Sequence, residues 1–249
     1  MKTGPIETSP QVYARMAGLL YLILVPLGIF GVLYVPAALI VPADAATTAR
    51  NILASESLFR LSILTALAVQ VINLLVVLLL YKLLKPVNRD LAVLMVIFLL
   101  TGVPIAMLNE LNQLAALRLA GGAAYLNVFS AEQLHALVPL FLGLHKDGVL
   151  IAEIFWGLWL LPMGWLVIRS GFLPKILGVL LILGCFGYLA DSLTYFLFPA
   201  YTAMVSPIAT TPAGIAELLF ASWLLIKGVN VEQWKSQLLK RPSLAPAAG

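Results

Sequence analysis

Long apolar runs separated by short polar connections dominate the chain. An α-helix rises about 1.5 Å per residue, so roughly 20 apolar residues cross a hydrocarbon core of about 30 Å. Six runs meet or approach this length. The pattern predicts an all-α polytopic membrane helix bundle with six transmembrane helices. The predicted spans cover residues 16–41, 58–84, 91–111, 149–168, 175–198 and 212–227.

A shorter apolar segment lies between the third and fourth spans, at residues 131–144. Ser130 and Gln133 have the spacing of a capping box, which predicts a helix start at this point. Because the segment is too short for a regular span, it predicts an interfacial or re-entrant helix. This helix would bring His135 and His145 to the membrane surface.

The first run contains Pro26, followed by Gly28 and Gly31. A proline inside a helix removes one backbone hydrogen bond, so this group predicts a bend. A cleaved signal peptide is an alternative for this run, since Ala43-Asp44-Ala45 offers a small-x-small site. The run exceeds the usual apolar length of about 7 to 15 residues, which favours a span.

The composition excludes an ordinary soluble domain. Hydrophobic residues make up 62% and charged residues 10%, against roughly 25% charged in soluble domains. The net charge of +4 comes from residues beside apolar runs, so no nucleic-acid partner is predicted. Eleven lysines and arginines flank the N-terminal side of the predicted bundle and four the other, which predicts cytoplasmic termini. We expect one transmembrane domain over 1–230 and a cytoplasmic tail, basic and then disordered, over 231–249.

Several polar side chains lie inside or beside the apolar runs. Hydrocarbon solvates charge badly, so such groups need partners, protons or water. Measured from the predicted span ends, the acids fall within about two turns of the outer surface, which predicts a shared outward-facing acidic pocket. Three acids would supply charge, two amides hydrogen bonds and one arginine a counter-charge. The predicted ligand-binding residues are Glu153, Glu217, Asp191, Asn109, Gln113, Arg60, Tyr195 and His145.

Other interpretations of these polar groups remain open. Each group could pair privately and only join helices, as Arg60 could with Glu56 at i, i+4. No His-x-x-x-His or Cys-x-x-Cys spacing occurs, so no metal site is predicted. Neither G-x-S-x-G nor S-x-x-K occurs, so no catalytic residue is predicted, and cofactors stay unassigned.

Several stretches resemble a bacterial membrane protein family, domain-of-unknown-function family 4386. They are Ala14-Arg15-Met16-Ala17-Gly18-Leu19-Leu20-Tyr21, Ala54-Ser55-Glu56-Ser57-Leu58-Phe59-Arg60, Tyr81-Lys82-Leu83-Leu84-Lys85-Pro86-Val87-Asn88-Arg89, Arg169-Ser170-Gly171-Phe172-Leu173-Pro174 and the stretch 214–217. The resemblance covers nearly the whole chain and implies a multi-pass bacterial membrane protein, which we expect in the inner membrane. It implies no activity, substrate or catalytic residue.

The leading functional expectation is the binding, with or without transport, of a small polar or cationic ligand or a lipid head group in the acidic pocket. One alternative is a membrane-embedded lipid-modifying enzyme, in which His145 and the acids act as acid and base or as metal ligands. Another is a structural or regulatory membrane subunit. The lipid bilayer is the expected partner in all three cases.

Overall fold

A computed structural model of the chain describes residues 9–122 and 124–239. These residues form helices and no strand, which confirms the all-α class. Six helices among them are long and apolar enough to cross a membrane, as the hydrophobic pattern predicted. The α-helices are α1 (Pro10–Gly28), α2 (Val35–Leu39), α3 (Ala45–Ala54), α4 (Glu56–Leu84), α5 (Arg89–Gly121), α6 (Ala131–Leu158), α7 (Leu160–Ser170), α8 (Lys175–Leu197), α9 (Thr202–Ile226) and α10 (Val231–Leu239).

The helices contribute to two compact units. The terminal unit contains the described residues of 9–22, 75–99 and 156–239. The middle unit contains the described residues of Ile23–Leu74 and Leu100–Phe155. The single transmembrane domain expected over 1–230 stays a prediction.

The prediction of a separate short helix over residues 131–144 is wrong. Ser130 begins α6 with the expected capping box, because its hydroxyl accepts from the Gln133 backbone N–H at 3.2 Å and its own N–H donates to the Gln133 side chain at 2.8 Å. The helix then continues through His145 and Gly148 to Leu158. Together with α7 it forms an apolar stretch of 40 residues, Ala131–Ser170. His145 therefore lies within a helix rather than at a helix boundary.

The first apolar run changes its helical geometry after Pro26. The α-helix ends at Gly28, and residues Ile29–Tyr34 form a π-helix before α2. A π-helical turn inserts an extra residue into the hydrogen-bond pattern and frequently marks a functional site. The connection that follows ends at Asp44, whose carboxylate caps α3 by accepting from the Thr47 N–H at 2.8 Å. Hydrogen bonding by Thr47 lowers the pKa of Asp44.

In the terminal unit, α10 caps the ends of two longer helices. The Trp234 indole N–H donates to the Leu83 carbonyl at 2.8 Å, and the Gln237 amide donates to the Ser170 carbonyl at 3.1 Å. Both acceptors lie in the last turn of a helix, where carbonyls lack partners within the helix. The predicted tail thus begins with a docked helix, and its residues 240–249 lie outside the described part of the chain.

Trp234→Phe is expected to lower the free energy of unfolding by about 1 to 2 kcal/mol, because the buried Leu83 carbonyl loses its donor. Denaturant titration of purified protein in detergent measures the change. Trp165→Phe is the matched control, since Trp165 is 51% exposed, and it should change stability by less than about 0.5 kcal/mol. Equal losses in the two variants would contradict the capping role of α10.

Candidate functional site

The middle unit contains a cavity of about 500 Å³. This volume lies within the range of about 300 to 1,000 Å³ that is typical of small-molecule sites. The lining comes from the first apolar run and from α4, α5 and α6. The lining residues are Gly31, Val32, Val35, Pro36, Leu39, Ile40, Phe59, Ser62, Gln113, Leu142, Gly143, His145, Lys146 and Val149.

One wall of the cavity is apolar and follows from the local sequence of the first run. The π-helix contributes Gly31 and Val32, and α2 contributes Val35 and Leu39. Phe59 of α4 extends this wall and is buried. Gly143 of α6 also faces the cavity, and a Cβ added to it would meet no atom within 4 Å. The space beside Gly143 is therefore open.

The polar part of the lining belongs to a hydrogen-bonded group that we call the His145 network. It consists of Glu110 and Gln113 of α5 with His145 of α6. His145 Nε2 lies 3.1 Å from Glu110 Oε1 and 3.0 Å from Gln113 Nε2, and Gln113 Nε2 donates to Glu110 Oε2 at 2.9 Å. The Glu110 side chain is only 8% exposed and the His145 side chain 22%. Gln113 and His145 line the cavity, whereas Glu110 supports them from behind.

The contact between His145 and Glu110 requires a proton. Nε2 without hydrogen and a carboxylate oxygen both carry lone pairs, so a contact of 3.1 Å is attractive only when one hydrogen lies between them. Gln113 donates to the other carboxylate oxygen. One hydrogen bond therefore joins His145 to Glu110 next to the cavity.

A second set of contacts fixes α5 against α6. The Asn109 amide donates to the His145 carbonyl at 2.7 Å and accepts from the Asn112 amide at 2.9 Å. Gly148 has no side chain, and this makes room for the Asn109 side chain. A Cβ at position 148 would lie 2.1 Å from Asn109 Oδ1. Small residues let helices approach closely in membranes. These contacts hold the backbone that carries His145.

The structure distributes the other predicted site residues among different surroundings. Glu153 is buried in the middle unit. Arg60 forms an ion pair of 2.6 Å with Glu56, and their side chains are 59% and 45% exposed. Asp191 and Tyr195 of α8 and Glu217 of α9 belong to the terminal unit. The structure thus brings together Asn109, Gln113 and His145 of the predicted set.

Two helices extend beyond the predicted span ends from which the depths were counted. The third span was expected to end at residue 111, but α5 continues to Gly121, so Glu110 lies about 16 Å before its end. The sixth span was expected to begin at residue 212, but α9 begins at Thr202. Glu217 therefore lies about 22 Å beyond its start. Asn109, Gln113 and Thr210 all have hydrogen-bond partners within the protein, so their polarity did not mark the helix ends.

Sequence reasoning missed much of the cavity. The apolar wall gave no signal that distinguishes it from lipid-facing positions. The available signals were the i, i+3 spacing of Glu110 and Gln113 and the two glycines of α6, Gly143 and Gly148. Among the described residues, no group of three or more His, Cys, Asp or Glu side chains is placed to hold a metal ion.

Six long apolar helices define the chain as a multi-pass α-helical membrane protein. The family described as Domain of unknown function (DUF4386) matches residues 16–228, and the chain belongs to this family. An uncharacterized protein from Archaeoglobus fulgidus is 27% identical over 174 residues, which cover 69% of this chain and 86% of the relative. No solved structure gives a significant match.

Proposed function

We propose that the protein binds a lipid or lipid-like amphiphile in the cavity of the middle unit. The proposal rests on a cavity whose lining has an apolar part and a polar part. A hydrocarbon chain fits against Val35, Leu39 and Phe59, because apolar surface gains free energy from contact with apolar surface. A polar head group fits beside Gln113 and His145, which supply hydrogen-bonding groups.

The lining favours a neutral or anionic head group. Among the described residues that line the cavity, the ionisable ones are His145 and Lys146 and none is a carboxylate. Glu110 is already engaged by His145 and Gln113. Among the ligand classes expected from the sequence, a lipid head group therefore fits this cavity better than a small cation. We further propose a location in the bacterial inner membrane with both termini in the cytoplasm, on the charge asymmetry of the flanking residues.

Photolabelling tests the amphiphile proposal. The probe is palmitic acid bearing a diazirine on its chain, added to the purified protein in detergent and mapped by peptide mass spectrometry. We expect adducts on the lining segments 31–40 and 142–149 that excess unlabelled palmitic acid removes. Gly143→Leu should lose most of this labelling, because its side chain would fill the open space beside Gly143.

Gly28→Leu is the matched control. A Cβ at Gly28 also meets no atom within 4 Å, but Gly28 does not line the cavity. It should keep the saturable labelling of the unaltered protein, and thermal unfolding should confirm that both variants are folded. Labelling that excess palmitic acid does not reduce, or that Gly143→Leu leaves unchanged, would refute the proposal.

A membrane-embedded lipid-modifying enzyme is the second candidate, favoured by the contact between His145 and Glu110. A histidine supported by a carboxylate is a common general base. The test is incubation of the protein in vesicles of phosphatidylethanolamine and phosphatidylglycerol, followed by lipid mass spectrometry. New lipid masses that disappear with Glu110→Gln would favour the enzyme. An unchanged lipid profile would count against action on these two lipids.

A further inference from the structure

The terminal unit contains a carboxyl group held by two tyrosines, which we call the Glu217 cluster. Glu217 of α9 accepts from the Tyr188 hydroxyl of α8 at 2.8 Å through Oε1, and from the Tyr21 hydroxyl of α1 through Oε2. Tyr21 is 6% exposed and packs on Trp159, with 5.9 Å between ring centroids. Three helices therefore converge on one carboxyl group.

No basic side chain among the described residues forms an ion pair with Glu217. The titratable groups that face it are the two tyrosines, and Asp191 follows Tyr188 by three residues on α8 and is buried. Glu217 lies inside an apolar helix next to Leu218 and Leu219, which are 45% and 46% exposed. An ionised carboxylate in such surroundings is costly, so a proton or a cation should accompany it.

The two hydroxyl donors stabilise the ionised carboxylate, but between a proton and a cation as its partner the contacts favour a proton. Each carboxylate oxygen already accepts one tyrosine hydroxyl, so the hydrogens of Tyr21 and Tyr188 point at the carboxyl rather than leaving their oxygens as a set of cation ligands. A bound proton needs no further ligands. Glu217 as a whole residue is only partly buried.

We propose that Glu217 is a proton-binding site of the membrane-spanning region, with Tyr21 and Tyr188 as its positioning residues. The step adds one proton to a carboxylate oxygen and breaks no covalent bond. The oxygen that takes up the proton loses its charge and becomes a weaker acceptor for the tyrosine hydroxyl beside it. The other tyrosine continues to donate to the second carboxyl oxygen. Proton binding thus changes a contact between α9 and either α1 or α8.

Dicyclohexylcarbodiimide tests this proposal, because it is apolar and reacts with protonated carboxyl groups. The full-length protein is treated in detergent over a range of pH, with sodium or choline chloride at equal ionic strength, and the adduct on Glu217 is measured by peptide mass spectrometry. We expect labelling to fall along a single titration as the pH rises, with equal curves in the two salts. Glu217→Gln should remove the adduct.

Tyr21→Phe and Tyr188→Phe test the positioning role and retain the carboxyl group. Each removes one donor to the ionised carboxylate, so the pH of half-maximal labelling should move upward by about one unit. Tyr201→Phe, at a position 58% exposed, is the control and should not move it. Absence of the adduct at every pH, or protection by sodium, would overturn the proposal. Unchanged midpoints in both tyrosine variants would overturn the positioning role.

Discussion

Glu110→Ala is expected to lower the free energy of unfolding by about 3 kcal/mol, because it breaks a buried pair and leaves its partner without a counterpart. His145 and Gln113 both lose an acceptor in this variant. The loss should exceed that of a single hydrogen bond between membrane helices, which averages about 0.6 kcal/mol. Denaturant titration of the purified protein in detergent measures it.

Glu56→Ala is the control for this experiment. It also removes a glutamate that pairs with a basic side chain of the middle unit, but the pair with Arg60 is exposed. Exposed ion pairs contribute about 0 to 1 kcal/mol, since solvent screens the charges. A loss in Glu110→Ala no larger than that in Glu56→Ala would show that the His145 network does not hold α5 against α6.

Gly148→Ala is the second large expected effect, a destabilisation of about 1 to 3 kcal/mol. The added methyl group would overlap the Asn109 side chain, whose Cγ would lie 2.4 Å from it. Asn109 is 7% exposed and must give up its hydrogen bond to the His145 carbonyl in order to move. Thermal unfolding in detergent measures the stability of this variant.

Gly143→Ala is the control that separates steric overlap at Gly148 from the difference in helix propensity between alanine and glycine. It makes the same substitution in the same helix, and alanine stabilises a helix interior by up to about 1 kcal/mol relative to glycine. Because open space surrounds the Gly143 position, Gly143→Ala should be neutral or stabilising. If both variants unfolded at the same temperature, the close contact between α5 and α6 would not require a glycine at position 148.

The two proposed sites can be tested independently. The amphiphile cavity lies within the middle unit and the Glu217 cluster within the terminal unit. Gly143→Leu introduces no change in the residues that hold Glu217, and Tyr188→Phe introduces none in the cavity lining. A failure of palmitic acid labelling would therefore leave the carbodiimide titration interpretable, and the reverse also holds.

The sequence determined the class of protein and most of its helices. Apolar runs long enough to span a membrane identify transmembrane helices however those helices pack, because the thickness of the bilayer sets the required length. The start of α6 was also local information, since Ser130 and Gln133 satisfy each other's backbone groups. The family resemblance was carried by short stretches and is confirmed over residues 16–228.

Only the tertiary structure decided where the helices end and which polar groups meet. Asn109, Gln113 and His145 suggested helix ends by their polarity, yet each has a partner within the middle unit. The predicted acidic pocket assumed equal depths counted from span ends that two of the helices pass, and it stays a prediction. A polar residue in the sequence gives the same signal whether its side chain contacts water or another helix. Which of the two it contacts depends on the packing of residues far apart in sequence.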